Sequence, residues 1–244
     1  LFNFIFCKVR MKKMKFGIIC AMPEEIKELT AALNDEHVKE IGGKKYYSGQ
    51  IDNQNVILVE SGIGKVEAGI TTEHLITDFG VDVVINSGSA GGIGQGLHVG
   101  DVVISSETAY HDVDARAFDY VYGQLPGKEP RFKASAKWGQ AIEKAGEQTG
   151  LNVKRGLIVS GDQFIASKDA IQEILHYFPD ALSSEMEGAA VGQVATDHDV
   201  PYVVVRAMSD TGDEDAGVSF DEFIIDAGKR SAKMLLQLFA DLNK

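Results

Sequence analysis

Cysteine is scarce in this chain of 244 residues, which contains two, Cys7 and Cys20, far apart and without paired spacing. That scarcity excludes a disulfide framework and a zinc knuckle, and it favours a reducing compartment, the cytoplasm. Basic residues are also few, because 24 Lys and Arg stand against 36 Asp and Glu, giving a formal net charge of -12. So acidic a surface argues against non-specific binding to nucleic acid or to anionic membranes.

Long apolar runs are lacking as well. None approaches the roughly 18 residues of a membrane-spanning helix, so no transmembrane segment is predicted. With 44% hydrophobic residues and no internal repeat, the chain can bury one sizeable core. We expect a single domain over residues 14–244.

Residues 1–13, LFNFIFCKVRMKK, place their apolar part before their basic part and offer no small-residue cleavage site, unlike a signal peptide. We expect them to form an N-terminal extension outside the fold.

Short apolar runs alternate with segments of helical spacing along the whole chain. Several runs are apolar throughout, as in strands that are covered on both faces, which predicts an α/β protein with a mostly parallel sheet. Strands are predicted at 15–22, 45–51, 55–64, 81–92, the start of 100–115, 153–165, the start of 181–200, and 201–210. Helices are predicted at 23–33, 65–79, 134–150, 167–178, the remainder of 181–200, and 219–242.

Polar or glycine-rich stretches follow four of the predicted strands, at 22–25, 87–92, 184–187 and 209–210. Ligands of such sheets bind beyond the carboxyl ends of the strands. Asp210 is the first carboxylate after an apolar run. Glu185 and Glu187 are two residues apart, and by themselves they are equally well explained as acids at a helix start, which the helix dipole favours.

The sequence contains no complete motif for binding a dinucleotide, a phosphate group or a metal ion. ESGIGKVEAG resembles a dinucleotide-binding turn, but Glu67 stands at its third glycine position, and Lys65 lacks the flanking residues of a phosphate-binding loop. No G-x-S-x-G nucleophile motif is present. Segment 110–115, YHDVDA, has no second histidine at a ligand spacing and is interpreted as a polar loop. We therefore predict neither a cofactor nor a metal.

Nine blocks of sequence occur in an order typical of one family: GIICAMPEEI, SGIGKV, NSGSAGG, VGDVVIS, YHDVDARAF, YGQLPG, RGLIVSGDQFI, SEMEGAA and VPYVVVRAMSD. Over residues 14–242 the chain resembles the bacterial 5′-methylthioadenosine/S-adenosylhomocysteine nucleosidases of the purine nucleoside phosphorylase and uridine phosphorylase superfamily. The resemblance implies a three-layer α/β sandwich around a mixed, largely parallel central β-sheet. It also implies hydrolysis of the bond between adenine and ribose.

The resemblance also implies catalytic roles. Asp210 corresponds to the acid that protonates adenine N7, and it must then carry a proton near neutral pH. Glu25 corresponds to the residue that orients and deprotonates the attacking water, with Ser89 and Arg206 beside that water. Proton transfer of this kind contributes about 10²–10⁴-fold.

Further residues correspond to substrate contacts in the family. Glu187, with Met186 beside it, corresponds to the acceptor of the ribose hydroxyls, and Phe164 and the Ile165 backbone correspond to the contacts of adenine. The apolar wall for the 5′-thio group corresponds to Met22, Ile63 and Phe220. The predicted substrate-binding set is Met22, Ile63, Ser89, Ala90, Gly91, Phe164, Ile165, Glu185, Met186, Glu187, Arg206, Ser209 and Phe220. Phe118 and Pro126 correspond to residues that enter the site of a neighbouring subunit, which implies a homodimer.

The sequence after the first strand favours water over phosphate as the nucleophile. A phosphate subsite needs cationic donors, usually arginines, and the phosphorylase relatives carry one there. This chain has Glu24 and Glu25 instead. Two enzymatic alternatives stay open, a nucleosidase for futalosine-type nucleosides and a nucleoside phosphorylase. A non-catalytic nucleoside-binding protein is a third alternative, because one fold can host several functions.

Overall fold

The structure, a computed structural model, describes residues 13–211 and 216–243. The extension predicted for residues 1–13 lies outside the described residues except for Lys13. Within the described part, every predicted strand and helix is present, together with two strands that were not predicted, Asn34–Ile41 and Phe132–Lys133. The strands are β1 (Lys15–Cys20), β2 (Asn34–Ile41), β3 (Lys44–Ile51), β4 (Gln54–Glu60), β5 (Val83–Gly92), β6 (Val102–Tyr110), β7 (Phe132–Lys133), β8 (Val153–Ser160), β9 (Ala181–Glu185) and β10 (Tyr202–Asp210). The helices are α1 (Pro23–Ala31), α2 (Lys65–Thr77), α3 (Ala136–Gln148), α4 (Lys168–Tyr177), α5 (Gly188–Asp197) and α6 (Ala216–Leu242).

All the described strands belong to one mixed sheet. Parallel pairs join β1 to β4 and β5, β5 to β10, β6 to β8, and β8 to β9. Antiparallel pairs join β2 to β3, β3 to β4, β5 to β9, β6 to β7, and β6 to β10. Because β10 pairs with both β5 and β6, the strands β5, β9, β8, β6 and β10 form a closed ring, and β1, β4, β3 and β2 extend from it. This closure was not predicted.

Helices cover both faces of the sheet, which gives the expected three layers. In β1, Phe16, Ile18 and Cys20 pack into a core with α1, α3 and α6. Ile19, which alternation sends to the other face, packs into a second core with α2 and α5. Each fully buried aliphatic or aromatic side chain of this kind contributes about 1.5–3 kcal/mol. Among the described helices, none combines the length and apolarity that crossing a bilayer requires.

Strand β10 positions three of the predicted functional residues, Arg206, Ser209 and Asp210. Arg206 follows Val204 on the face that looks toward α5, and its neighbour on β5 is Gly88. The register then shifts between Met208 and Asp210, so that Asp210 pairs with Gly91 and Ser209 is the extra residue of a β-bulge. Bulges re-aim side chains and are frequent next to active sites. This bulge sets the direction in which Asp210 leaves the strand.

Candidate active site

A cavity lies at the carboxyl ends of β1, β5, β9 and β10. All four stretches predicted at strand ends contribute to its wall. Every residue of the predicted catalytic and substrate-binding sets lines it, except the two assigned to a neighbouring subunit. The cavity is also lined by three residues outside the predicted catalytic and substrate-binding sets: Ala21, Gln163 and Ser184.

The two exceptions lie on the surface. Phe118 ends a 3₁₀ turn, Arg116–Phe118, and its side chain is 74% exposed. Pro126 is exposed in the segment between β6 and β7. Neither residue lines the cavity of its own chain. Their assignment to a second subunit therefore stays a prediction.

Glu25 is held rigidly at the start of α1, where its side chain is 2% exposed. Its Oε2 accepts hydrogen bonds from the backbone N–H groups of Ala21 and Met22, at 2.9 and 3.1 Å. Its Oε1 accepts from both the N–H and the hydroxyl of Ser89, each at 2.9 Å. Pro23 opens the helix, and an acid three residues after the N-cap reaches back to the N-cap N–H. These four donors fix the carboxylate at the cavity wall.

Arg206 is the only basic residue among the described residues that line the cavity, and it is 1% exposed. Its Nη2 donates to Asn86 Oδ1 at 2.5 Å, to Glu187 Oε2 at 3.1 Å, and to Glu185 Oε2. Asn86 was missed by the sequence analysis, although a polar residue inside the apolar run VVINSG was a usable signal. The cation is thus committed to two carboxylates and an amide.

Glu185 and Glu187 share that arginine but differ in their other contacts. Glu185 accepts hydrogen bonds from the N–H groups of Glu187 and Gly188, at 2.9 and 2.8 Å, and from the Ser160 hydroxyl. Its carboxylate therefore anchors the start of α5. Glu187 accepts one N–H bond, from Gly64 at 2.8 Å, in addition to Arg206.

Burial makes Glu187 electrostatically unusual. Loss of solvent raises the pKa of Glu187 to about 7, and the nearby Glu185 and Glu25 act in the same direction. Arg206 and the Gly64 N–H oppose the rise in this pKa. Glu187 therefore changes its protonation state near neutral pH. A strongly shifted carboxyl in a cavity is typical of functional sites.

Asp210 stands at the end of β10 with 2% of its surface exposed. Its Oδ2 accepts a hydrogen bond from the Ser209 hydroxyl at 2.9 Å. A carboxyl group in this position lines the cavity without being a solvated loop acid. The strand-end placement that the sequence indicated is confirmed.

Apolar side chains form the mouth of the cavity. The rings of Phe164 and Phe220 meet edge to face, with centroids 5.7 Å apart and an interplanar angle of 78°. Phe164 is 51% exposed and Ile63 is 54% exposed, although both are large and apolar. Such surfaces suit a flat ring or an aliphatic group, which would cover them on binding.

Segment 110–115 is a polar loop after Tyr110, as predicted, but part of it is buried. His111 is 4% exposed, and Asp112 forms an ion pair with Lys65. Within residues 13–211 and 216–243, no cluster of His, Cys, Asp and Glu has an arrangement that could hold a metal ion. The segment is thus tied to the start of α2 through Asp112 and Lys65.

The sequence matches the phosphorylase superfamily over residues 15–240. It is 47% identical to the 5′-methylthioadenosine/S-adenosylhomocysteine nucleosidase of Actinobacillus succinogenes, covering 94% of this chain and 100% of the relative.

Two solved structures extend the comparison. The nucleosidase of the same description from S. pneumoniae, with the transition-state inhibitor MT-ImmA, shares 44% identity and a TM-score of 0.90, covering 94% of this chain and 100% of that one. The S-adenosylhomocysteine nucleosidase of Streptococcus pyogenes, in complex with 5-methylthiotubericidin, shares 42% identity and a TM-score of 0.92, covering 96% and 99%. The chain therefore belongs to the family of 5′-methylthioadenosine/S-adenosylhomocysteine nucleosidases within the phosphorylase superfamily.

Proposed function

We propose that this protein hydrolyses the N-glycosidic bond of 5′-methylthioadenosine and of S-adenosylhomocysteine, releasing adenine and the 5-thio-substituted ribose. One observation carries the proposal. Glu25, Glu187 and Asp210 are buried together in one cavity, and Arg206 is already bonded to carboxylates. An anionic site of this kind suits a neutral nucleoside whose sugar becomes cationic as the bond breaks.

Asp210 is the general acid of the proposed reaction. It donates its proton to N7 of adenine, so that the base leaves as a neutral molecule. The Ser209 hydroxyl donates a hydrogen bond to Asp210 Oδ2 and so helps to orient the carboxyl group at the cavity wall. General acid catalysis of this type contributes about 10²–10⁴-fold.

Glu25 is the general base. It takes a proton from the water that attacks the anomeric carbon. Four hydrogen bonds hold its oxygens in place, so no reorganisation is needed when the water arrives. Ser89 acts through Glu25, because its hydroxyl donates to that carboxylate.

Glu187 binds the ribose hydroxyls in its ionised form, which can accept hydrogen bonds on both oxygens. Its negative charge also stabilises the ribosyl cation as it develops, in a site from which solvent is largely excluded. Phe164 stacks on adenine, and the Ile165 backbone meets the edge of the base. Met22, Ile63 and Phe220 surround the 5′-thio group.

The proposed assembly is a cytoplasmic homodimer without cofactor. Phe118 and Pro126 are exposed and extend to the partner's cavity, where they cover the 5′ substituent. Cys20 is a buried free thiol, which is compatible with a reducing compartment. Sedimentation at micromolar concentration tests the dimer, and a monomer with full activity would contradict it.

Water, and not phosphate, is the proposed nucleophile. A phosphate subsite requires cationic donors, and the cation in the described cavity wall already pairs with Glu185 and Glu187. Adding a dianion near Glu25 would place like charges together. The reaction with phosphate is therefore electrostatically disfavoured.

One assay separates the proposal from its alternatives. Adenine release from 5′-methylthioadenosine is followed with and without phosphate, and futalosine is offered as a competing substrate. We expect phosphate-independent turnover and a much lower kcat/KM for futalosine. Phosphate-dependent turnover would indicate a phosphorylase, a preference for futalosine would indicate the sibling nucleosidase, and binding without turnover would indicate a nucleoside-binding protein.

A further inference from the structure

Three charged residues outside the cavity, Lys65, Asp112 and Asp162, form a cluster that we call the loop clamp. Lys65 Nζ lies 2.6 Å from Asp112 Oδ2 and 3.6 Å from Asp162 Oδ2. The three residues come from the start of α2, the segment after β6, and the segment between β8 and α4. None of them lines the cavity. The proposed reaction therefore assigns them no role.

The clamp also binds backbone groups. Asp162 Oδ1 accepts a hydrogen bond from the Lys65 N–H, and Asp112 Oδ2 accepts from the Asp162 N–H, both at 2.9 Å. The N-cap of α2 is Gly64, which has no side chain with which to cap the helix. The Asp162 carboxylate, from another segment, instead accepts a hydrogen bond from the N–H of Lys65, the first residue of the helix. The Gly64 N–H donates to Glu187. Helix α2 thus begins against two carboxylates, an arrangement that the helix dipole favours.

The clamp joins two segments that carry walls of the cavity. Ile63 directly precedes Gly64, and Phe164 follows Asp162 by two residues. More than half of each side chain is exposed, so packing in the core does not fix either of them. The hydrogen bond from the Lys65 N–H to Asp162, together with the Lys65 Nζ contacts to Asp112 and Asp162, links these two segments near the mouth of the cavity.

We propose that Asp162 is a positioning residue. It fixes the distance between the parts of the cavity wall formed by Ile63 and Phe164, and it maintains the hydrogen bond from the Gly64 N–H to Glu187. It touches no reacting atom and acts through Gly64 and Lys65. The inference rests on the proposed function, because it assigns Glu187 to the ribose and Phe164 to adenine.

This role has a consequence for pH dependence. Burial, Glu185 and Glu25 raise the pKa of Glu187, whereas Arg206 and the Gly64 N–H lower it. When Asp162 no longer holds the start of α2, the Gly64 hydrogen bond weakens and the pKa of Glu187 rises further. The acidic limb of kcat/KM, which reports free-enzyme ionisation, then moves to higher pH.

The test compares Asp162→Ala with Asp162→Asn and with Asp169→Ala, a matched control at an exposed aspartate in the first turn of α4. Asp162→Ala is expected to raise KM for 5′-methylthioadenosine about fivefold to tenfold, the effect of losing one hydrogen bond, with kcat changed less than about threefold. Its acidic limb is expected to move up by about half a pH unit. Asp162→Asn, which retains an oxygen acceptor for the Lys65 N–H, is expected to recover most of the change in KM.

Thermal unfolding is measured for each variant. If Asp162→Ala does not fold, it is replaced by Asp162→Ser, whose shorter side chain also withdraws the acceptor from the Lys65 N–H. The inference is wrong if Asp162→Ala behaves like Asp169→Ala, if its acidic limb does not move, or if asparagine is no better than alanine. Absence of wild-type turnover would instead contradict the proposed function. Calorimetric titration with adenine across pH would then still report whether the clamp affects the cavity.

Discussion

Replacing Gly88 with alanine tests the tightest packing in the active site. Gly88 lies on β5 beside Arg206. A Cβ atom there would overlap Arg206 Nη1 and would lie 2.7 Å from Glu25 Oε1. The backbone at Gly88 is not left-handed, so the added methyl group, and not the main chain, causes the strain.

The structure gives the size of the effect. Glu25 Oε1 would have to retreat by about 0.7 Å to reach ordinary contact at 3.4 Å, and Arg206 would have to move as well. Both groups are buried and hydrogen-bonded, so neither can move without weakening these bonds. Overpacking of this kind destabilises a protein by about 1–3 kcal/mol. Because misplacing a catalytic group by about 1 Å can cost about 10²-fold, we expect kcat to fall between about 10- and 100-fold.

The assay measures kcat for adenine release together with chemical denaturation. Gly69→Ala is the control, because its Cβ in α2 would meet only Val194 Cγ2, at 3.9 Å. Alanine in the interior of that helix should raise the free energy of unfolding by about 0.5–1 kcal/mol. If Gly88→Ala kept kcat within about threefold of the wild type, the close packing of Glu25 and Arg206 would have no bearing on catalysis, and the reasoning would be refuted.

Three further predictions concern the carboxylates. Asp210→Asn cannot supply the proton, so kcat should fall about 10²–10⁴-fold while calorimetry shows adenine affinity nearly unchanged; a kcat near the wild-type value would remove Asp210 as the acid. Glu25→Gln should lower the single-turnover rate of hydrolysis by a similar factor of about 10²–10⁴, and an unchanged rate would exclude Glu25 as the base. Burial raises the pKa of Glu187 to about 7, so its ionised fraction, and with it kcat/KM, should rise as pH increases through this value. Glu187→Gln should lower kcat/KM and flatten that rise, and an identical pH profile in this variant would assign the limb to another group.

The residues near the strand ends were predictable because their positions follow from local rules. Apolar runs such as 201–210 indicate buried strands, and the carboxyl ends of parallel strands meet at one edge of the sheet. Glu25 and Asp210 could therefore be expected near one cavity before their partners were known. Their chemical roles came from the resemblance to a family and not from spacing.

Other features had no local signal. Strand β2 was not predicted because seven of its eight residues are exposed and it shows no apolar alternation. Closure of the ring depends on β10 pairing with β5, more than a hundred residues earlier in the chain. The loop clamp was missed for the same reason, because Lys65 and Asp162 are separated by 97 positions and are brought together only by the fold.

The charge balance of the cavity explains why burying so many acids is compatible with folding and useful for catalysis. Four carboxyl groups line the cavity, those of Glu25, Glu185, Glu187 and Asp210, against one guanidinium. Backbone N–H groups, hydroxyls and the Arg206 guanidinium offset part of their desolvation, and Glu187 responds to the rest by the rise in its pKa. The remaining negative charge attracts a neutral nucleoside only weakly but attracts a ribosyl cation strongly. Binding energy is thus expressed mainly in the transition state, where it accelerates the reaction.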